Sequence, residues 1–580
     1  MEKRISIGAH IILFIFAIFL LRLWHLQVIK GGEYKRVAEQ NRLRIIGIPA
    51  PRGIIYDRNN NALVKNIPAF TVSITTYELP QDSRTLSEIA ALLGLDPKEV
   101  KDRLNGSSIS PFEPVKLKEN LSWEEVVKIE ARRIDFPALR IDVEPSRQYL
   151  HGRAASHVIG YLGRLNPQQA KNPDYRDVPR SAFIGQWGIE KIYDKDIRGI
   201  AGGKIIEVDA TGREINSFGE KEAIKGNDIK LTIDIDLQKK AEEALRDKAG
   251  AVIAIDPNTG NILVLASNPS FDPNLFVRGI SYEKWERFIN DPKKPLLNRA
   301  MQSQYPPAST FKIITAIAAL EEGVITENTE MLCKGGIPLG GRLFKCWKEG
   351  GHGVINFKRA IVESCDVYFY ELGKKLGVDK IAEYALRFGL GNPLGLNLAE
   401  EKSGVVPTTA WKRTAKNEEW FLGETLITAI GQGYISATPL QMATLISAVV
   451  NGGKIYKPNL LNDGRAAEIL KEVNVRAETL EAVKKALVGV VAEPGGTGYR
   501  AHSNLVSIGG KTGTAQVLGS KWGKHLPAKY RDHAWFVAFA PTEEPQIAIA
   551  VFVEHGGFGG AEAAQIAKAV IEEFHRKTQK

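Results

Sequence analysis

The longest apolar run, Ile5 to Leu21, continues past Arg22 through Leu23, Trp24, Leu26, Val28 and Ile29. That length predicts one membrane-spanning helix over 5–29. Lys3 and Arg4, in a stub of residues 1–4, mark the cytoplasmic side, and Trp24 suits the far interface. A cleaved signal peptide is the alternative, but no small-x-small cleavage site follows the run. No later segment is apolar enough to span, so everything beyond about Lys30 is expected outside the cytoplasm. Residues 30–225 are turn-rich. PAPRGIIYDRNNNAL reads as strand and turn, and TLSEIAALLGLDPKEVKDRL has helical periodicity interrupted at Leu95-Asp96-Pro97. The pattern changes near Lys225-Gly226-Asn227. AVIAIDPNTGNILVLAS then predicts a hairpin turning at Asp256 to Gly260, and PPASTFKIITAIAALEEG predicts a helix entered by proline and left at Gly323. AWFVAFAP and QIAIAVFVEH read as paired strands, and AEAAQIAKAVIEEFHRKT as a closing amphipathic helix. Strands at both ends of residues 226–580 with helices between them predict one antiparallel sheet covered by helices.

At 580 residues with 44% apolar positions, the chain suits two or three domains with sizeable cores. A formal charge of +10 permits nucleic acid, anionic lipid or an anionic polymer as partner. No zinc-finger, helix-turn-helix or RNA-binding signature accompanies it, so no nucleic-acid role is read. A merely basic solvated surface is the plainer reading.

Serine is a poor nucleophile until a neighbour takes its proton, and a lysine can do so once burial or nearby cations depress its pKa from about 10.4. Ser309-Thr310-Phe311-Lys312 opens the apolar helix, and positions i and i+3 share a face. The helix N-terminus also offers unpaired N–H groups to an oxyanion. Ser281-Tyr282-Glu283-Lys284 has the same spacing but sits in a polar segment and is read as chance. Order adds the weight. Ser364-Cys365-Asp366 follows, then Lys511-Thr512-Gly513-Thr514 before the terminal strands. Serine-lysine, serine-x-polar and Lys-Thr-Gly, in that order on helix, loop and strand, form the motif set of penicillin-recognising serine acyltransferases. Ser270-Phe271-Asp272 also fits the middle motif, but out of order.

Over nearly its whole length the chain resembles the class B penicillin-binding proteins. YPPASTFK, SCDVYFY, GQGYISATPLQMA, GGKTGTAQ and, earlier, PRGIIYDRN carry the likeness. Asp366, where septal members and many relatives carry Asn, makes the elongation or rod-shape subgroup the nearest in kind. The resemblance implies an α/β architecture: a transmembrane helix, an elongated α+β pedestal of the non-catalytic dimerisation type (30–225), and a β-lactamase-like transpeptidase domain (226–580). It implies that Ser309 is acylated by a donor D-Ala-D-Ala end with Lys312 as base. Ser364 would relay the proton, and Asp366 would hold Lys312 and the substrate amide. Lys511, Thr512 and Thr514, around Gly513, would bind the terminal carboxylate, with the N–H groups of Ser309 and Thr514 as the oxyanion hole. Peptidoglycan stem peptides are then the substrate. Since no glycan-polymerising motif is present, a rod-shape SEDS-family glycosyltransferase and other elongation-complex membrane proteins are the implied partners.

All three cysteines, Cys333, Cys346 and Cys365, fall in one stretch with His352. Four soft ligands suit a closed structural zinc site, and some elongation-type relatives resemble this. A disulfide with a spare thiol, or three buried reduced cysteines, remain open. Cys365 lies between Ser364 and Asp366, and neighbours in an extended loop point opposite ways, so it can face a metal while they face substrate. His533 is expected to support a strand, Trp411, Trp420 and Trp522 to pack or line a groove, Arg52 to brace the pedestal, and HRKTQK to fray in solvent. Three other functions share these motifs: a D,D-carboxypeptidase or β-lactamase, a β-lactam-sensing receptor, and a septal transpeptidase. The anchor and large pedestal argue against the first, and the short cytoplasmic stub against the second.

Overall fold

The computed structural model describes all residues except 1, 36–42, 76–82, 107–113, 177, 180–181, 209–213, 278, 399, 518–526, 528–529 and 580; Trp522 lies outside the described residues. Two compact units emerge.

The first comprises residues 1–53, 66–147 and 198–227. It begins with helix α1 (Glu2–Trp24), extended by a π-helical turn His25–Ile29. The apolar span Ile5–Ile29 has a mean hydropathy of 2.3 and none of it is buried, which fits a single-pass membrane anchor. Strands Leu43–Ile48, Gly202–Val208 and Glu214–Lys221 form an antiparallel sheet with Gly202–Val208 at its centre. A second core gathers Val72, Ile74 and Leu117 from paired strands with Ile89, Val100 and Ile129 from three helices. Those helices are Ser83–Leu93, Pro97–Gly106 and Trp123–Ala131. The break at Pro97 is the one the sequence predicts. Ser122 starts the third helix with a capping box closed by Glu125, which satisfies two backbone donors that a helix start leaves open. Arg52 is buried in this unit.

The second unit comprises 54–65, 148–197 and 228–580. A linear boundary at 225/226 therefore misses two excursions. Ile55–Tyr56 pairs in parallel with Ile229–Lys230, and Leu150 donates its N–H to the Leu63 carbonyl at 3.0 Å. The central sheet has strands β1 (Gly250–Ile255), β2 (Ile262–Asn268), β3 (Gly509–Ala515), β4 (His533–Ala540) and β5 (Ile547–Val553), all antiparallel, in the order β2-β1-β5-β4-β3. Its members come from both ends of residues 226–580, as predicted. Helices cover both faces. Val252, Phe536 and Val551 pack towards α2 (Ile235–Leu245) and the C-terminal helix, whereas Ile253, Val537 and Ala550 join the core of the central helices. Two-sided burial explains why these antiparallel strands read as nearly continuous apolar runs.

On the central side lie α3 (Lys312–Glu321), α4 (Asp366–Leu376), α5 (Pro439–Val450) and α6 (Ala477–Ala492); α7 (Ala563–Thr578) closes the chain on the other side. Every residue of α3 from Lys312 to Leu320 is buried, the mark of a core helix rather than an amphipathic one. The expected frayed tail is instead helical to Thr578. Lys577 Nζ sits 2.6 Å from Asp234 Oδ1 and 2.7 Å from Asp236 Oδ2 at the start of α2.

Candidate active site

Ser309 sits in a 3-10 turn, Ala308–Phe311, that runs directly into α3. The turn is clamped from several sides. The Trp535 indole N–H donates to the Pro306 carbonyl at 3.0 Å, and Ala308 N–H donates to the Gly431 carbonyl at 2.8 Å. Ala308 takes a left-handed φ of 52°, unusual for a residue with a Cβ, so surrounding contacts must hold it there. Ser309 itself is half-buried, between this turn and open solvent.

One turn on, Lys312 is fully buried and its Nζ is saturated with acceptors. It donates to Asp366 Oδ1 at 2.7 Å, to the Ser364 carbonyl at 2.8 Å and to Ser364 Oγ at 3.2 Å. Lys511, also fully buried, reaches the same hydroxyl from β3: its Nζ lies 2.9 Å from Ser364 Oγ and 3.1 Å from the Thr512 carbonyl. Burial, and then the charge of Lys312, push the Lys511 amine well below the usual lysine range, against a smaller upward pull from Asp366. With two amines at its oxygen, the Ser364 hydroxyl keeps its own hydrogen to donate. The Ser364 loop is extended only in part, at Cys365 and not at Ser364. Ser364 has φ 55°, and Cys365 is the N-cap of α4. Cys365 itself is extended, at φ −63° and ψ 116°, the conformation in which neighbouring side chains point to opposite sides.

The Lys-Thr-Gly strand lies against the Ser309 turn. A Cβ on Gly513 would stand 3.0 Å from the Pro307 carbonyl oxygen, 3.0 Å from Trp535 Cβ and 3.1 Å from Thr310 Cγ2, so glycine permits this approach. Thr512 Oγ1 donates to Thr497 Oγ1 at 2.8 Å, and Thr497 N–H donates to the Val362 carbonyl at 3.2 Å, which ties β3 to the helix leading into Ser364. Gln432 Nε2 donates to the Thr514 carbonyl at 3.0 Å, and Gly559 N–H to Thr514 Oγ1 at 3.3 Å. Thr497 and Gln432 were not singled out by sequence. GGTG has no chemistry of its own, and within GQG only the likeness to relatives drew the eye.

Behind the same loop, Cys333, Cys346, His352 and Cys365 offer ligand atoms that all lie within 4.8 Å of one another. The cysteines are buried and free in this structure. Two short hairpins carry most of this cradle. Glu330–Cys333 pairs with Gly353–Asn356, and Gly336–Leu339 with Arg342–Lys345. His352 Nδ1 is 3.5 Å from both Cys333 Sγ and Cys346 Sγ, while its buried Nε2 has no hydrogen-bond partner and lies 3.8 Å from Glu363 Oε2. A hydrogen bond from the Cys365 thiol pushes the Cys346 thiol well below the usual range, and that bond and then burial raise Cys365. A tetrahedral zinc with Zn–S near about 2.3 Å has ligand–ligand edges of about 3.8 Å. The donor set and its spacing therefore fit such an ion. Cradle and groove share a strut: Trp347 N–H, next to Cys346, donates to Asp366 Oδ2 at 2.9 Å, and the Trp347 indole donates to the Ser364 carbonyl at 3.1 Å.

His533 opens β4, and its Nδ1 accepts the His555 N–H at 3.0 Å, a strand-supporting contact. Burial, then His555, lowers its pKa to about 4, so it is a neutral ring at physiological pH. Trp411 and Trp420 pack with Tyr434, at ring distances of 5.3 and 6.3 Å. The alternative Ser281 caps the helix Tyr282–Ile289, accepting the Lys284 backbone N–H.

Residues 250–572 match the penicillin binding protein transpeptidase domain, and residues 47–231 the penicillin-binding protein dimerisation domain. The peptidoglycan D,D-transpeptidase MrdA of Acinetobacter baumannii is 35% identical over 98% of this chain and 87% of its own length. PBP2 in its complex with MreC from Helicobacter pylori is 31% identical with a TM-score of 0.82, covering 93% of this chain and 99% of that one. A chain of a solved peptidoglycan synthase complex, described as coordinating polymerization and crosslinking, is 32% identical with a TM-score of 0.74, covering 98% of each. With both domains present in order and full-length likeness to PBP2 enzymes, the chain belongs to the class B penicillin-binding proteins and is a serine-type transpeptidase of the PBP2 type.

Proposed function

We propose that the chain cross-links peptidoglycan stem peptides during cell elongation, as a D,D-transpeptidase working through an acyl-enzyme on Ser309. The observation that carries this reading is the meeting of Lys312 and Lys511 at one hydroxyl, Ser364 Oγ, at 3.2 and 2.9 Å, beside the Ser309 turn. Ser309 Oγ attacks the carbonyl between the two terminal D-alanines while Lys312, as general base, takes its proton. The oxyanion rests on the N–H groups of Ser309 and Thr514. As the C–N bond breaks, Ser364 hands its hydrogen to the departing D-alanine amine and is reprotonated from the lysine pair. The Thr512 and Thr514 hydroxyls take the substrate's terminal carboxylate, with the Lys511 amine beneath them. An acceptor stem-peptide amine then attacks the ester, and the proton path runs in reverse. Asp366 keeps Lys312 pointed at the site between steps. β-Lactams enter at the first step and stay on Ser309.

Fluorescent penicillin labelling tests the site. Wild type labels covalently and Ser309→Ala does not; labelling of the alanine variant would sink the assignment. With glycan strands carrying stem peptides as substrate, the expected main product is cross-linked dimer, formed with release of one D-alanine per cross-link, rather than uncross-linked stems shortened by hydrolysis.

A structural zinc held by Cys333, Cys346, His352 and Cys365 completes the reading. Bound there, it supplies charge neutralisation for the thiolates and rigidity for the Ser364–Asp366 loop, and no proton or acyl group passes through it. Elemental analysis of purified protein is expected near one equivalent; less than half an equivalent ends this part. The Lys3-Arg4 flank supports an N-terminus in the cytoplasm with both units outside it. The solved assemblies of similar chains, one with MreC and one a peptidoglycan synthase complex, support work beside a glycan polymerase and elongation proteins, and the polymerase we propose is of the SEDS family. Co-purification of the tagged full chain from membranes tests that.

A further inference from the structure

The dipeptide Gly431-Gln432 touches both sides of the groove. It follows the helix Leu422–Ala429 and is tied back to it, Gly431 N–H donating to the Thr428 carbonyl at 2.8 Å and Gln432 N–H to the Ile427 carbonyl at 3.1 Å. Gly431, at φ 74°, presents its carbonyl to Ala308 N–H at 2.8 Å; a Cβ there would stand 2.1 Å from the Ala308 carbonyl oxygen. The next side chain, Gln432, donates to the Thr514 carbonyl at 3.0 Å. One rigid turn thus grips the residue before Ser309 with its backbone and the far strand with its amide.

The strand contact has a consequence for direction. In an extended strand a residue's N–H and C=O point to the same side. β3 is the last strand of its sheet, and its Thr512 and Thr514 carbonyls are both taken by groups other than β4, namely Lys511 Nζ and Gln432 Nε2. Thr514 therefore turns its N–H, as well as its C=O, to the open edge facing the Ser309 turn. A hydrogen bond to that carbonyl sets the height and tilt of the whole Thr514 peptide group against Ser309.

We infer that Gln432 is a positioning residue that gauges the oxyanion hole, holding the Thr514 N–H at the distance from Ser309 N–H that the tetrahedral intermediate requires. This rests on the proposal that these two N–H groups bind the oxyanion. Gln432 touches no reacting atom; it acts through the Thr514 peptide. Losing one oxyanion donor outright lowers a rate by about 100- to 1,000-fold, and loosening one has a smaller effect.

Three forms of the full-length protein decide the matter: wild type, Gln432→Met and Gln432→Glu. The readouts are the penicillin acylation rate constant and the infrared carbonyl stretch of the acyl-Ser309 ester, followed with carbonyl-labelled ligand. Gln432→Met keeps the length and loses the donor, so acylation slows about 10- to 100-fold and the ester stretch moves to higher wavenumber. Gln432→Glu keeps the shape but sets a carboxylate against a carbonyl oxygen, so it is slower still; a packing role would make this isosteric change the milder one. Should the Met form fail to fold, the Glu form carries the test alone. Wild-type rate with an unmoved stretch in either variant overturns the inference. A wild-type protein with no adduct on Ser309 by mass spectrometry overturns the underlying reading instead.

Discussion

Ser364 and Asp366 face a groove of amines and hydroxyls, whereas Cys365 between them faces two thiols and an imidazole. The groove is wired for charge movement: two buried lysines converge on one hydroxyl, and among the described residues one carboxylate, Asp366, lies in contact with Lys312. The cradle suits fixation instead, for its ligands are soft, buried and closed around a point. Asp366 belongs to both, with Oδ1 on Lys312 and Oδ2 on the Trp347 N–H. A loop that must present two reactive groups at fixed spacing has little apolar side chain with which to anchor itself. With the proposed zinc bound, a cross-link through its middle residue on the opposite face would supply that anchor without occupying the groove.

If the two faces differ in this way, groove substitutions abolish chemistry and leave the fold intact. Lys511→Met is the sharpest case and has the largest expected effect. Acylation falls by about 1,000-fold, in the range for losing a positioned proton-transfer group. Stability does not fall, because an apolar chain replaces a buried amine. The pH dependence carries a sign that can be checked. The folded-state pKa of Lys511 lies well below its unfolded value, so between the two the unfolded chain binds a proton that the folded chain lacks, and stability rises with pH across that window. Lys511→Met flattens this slope in melting curves taken towards pH 10. An acylation rate within tenfold of wild type would remove the groove from the chemistry.

Cradle substitutions reverse the pattern. Cys365→Ser, or removal of metal by chelator, lowers the melting temperature by roughly 5 °C or more through lost cross-linking. Acylation falls only about tenfold, as the Ser364 loop loosens. Calorimetry and penicillin acylation measured side by side give both numbers. A melting temperature unmoved by Cys365→Ser would mean that the four side chains are ordinary core.

The two faces also differ in how they could be read from sequence. Ser309, Lys312, Ser364, Asp366 and Lys511 were legible because their chemistry is carried by residue type and order, and the helix and strands bearing them have strong periodicity. The cradle was legible because the chain has only three cysteines and they cluster. Its hairpins were not, since four-residue strands such as Gly336–Leu339 carry too little pattern to stand out. Gln432 and Thr497 were hidden for another reason: they act on backbone or through a shared hydroxyl, which leaves no mark in residue type. Nor did composition reveal that 54–65 and 148–197 pack with the second unit, because strand pairing between distant segments is a tertiary choice. The pinned tail fell to the same limit: Lys577 has fixed acidic partners only once α2 and α7 are side by side.

Asp366→Asn has the smallest expected effect and examines the strut itself. The carboxylate accepts at both oxygens; an amide can accept at one only. If Asn turns its oxygen to Lys312, its NH2 meets the Trp347 N–H donor, and if it serves Trp347, its NH2 meets the Lys312 donor. One donor in a buried site is left unmatched, at about 1–3 kcal/mol. The expected outcome is a melting temperature lower by a few degrees and acylation slowed less than by Cys365→Ser. The decisive measurement is the pair of changes together. If the strut couples cradle to groove, Asp366→Asn has less further effect once the metal is removed or Cys365 is serine, because the connection it weakens has already been lost. Strictly additive effects would mean that groove and cradle share a loop but not a mechanical link, and that Asp366 serves Lys312 alone.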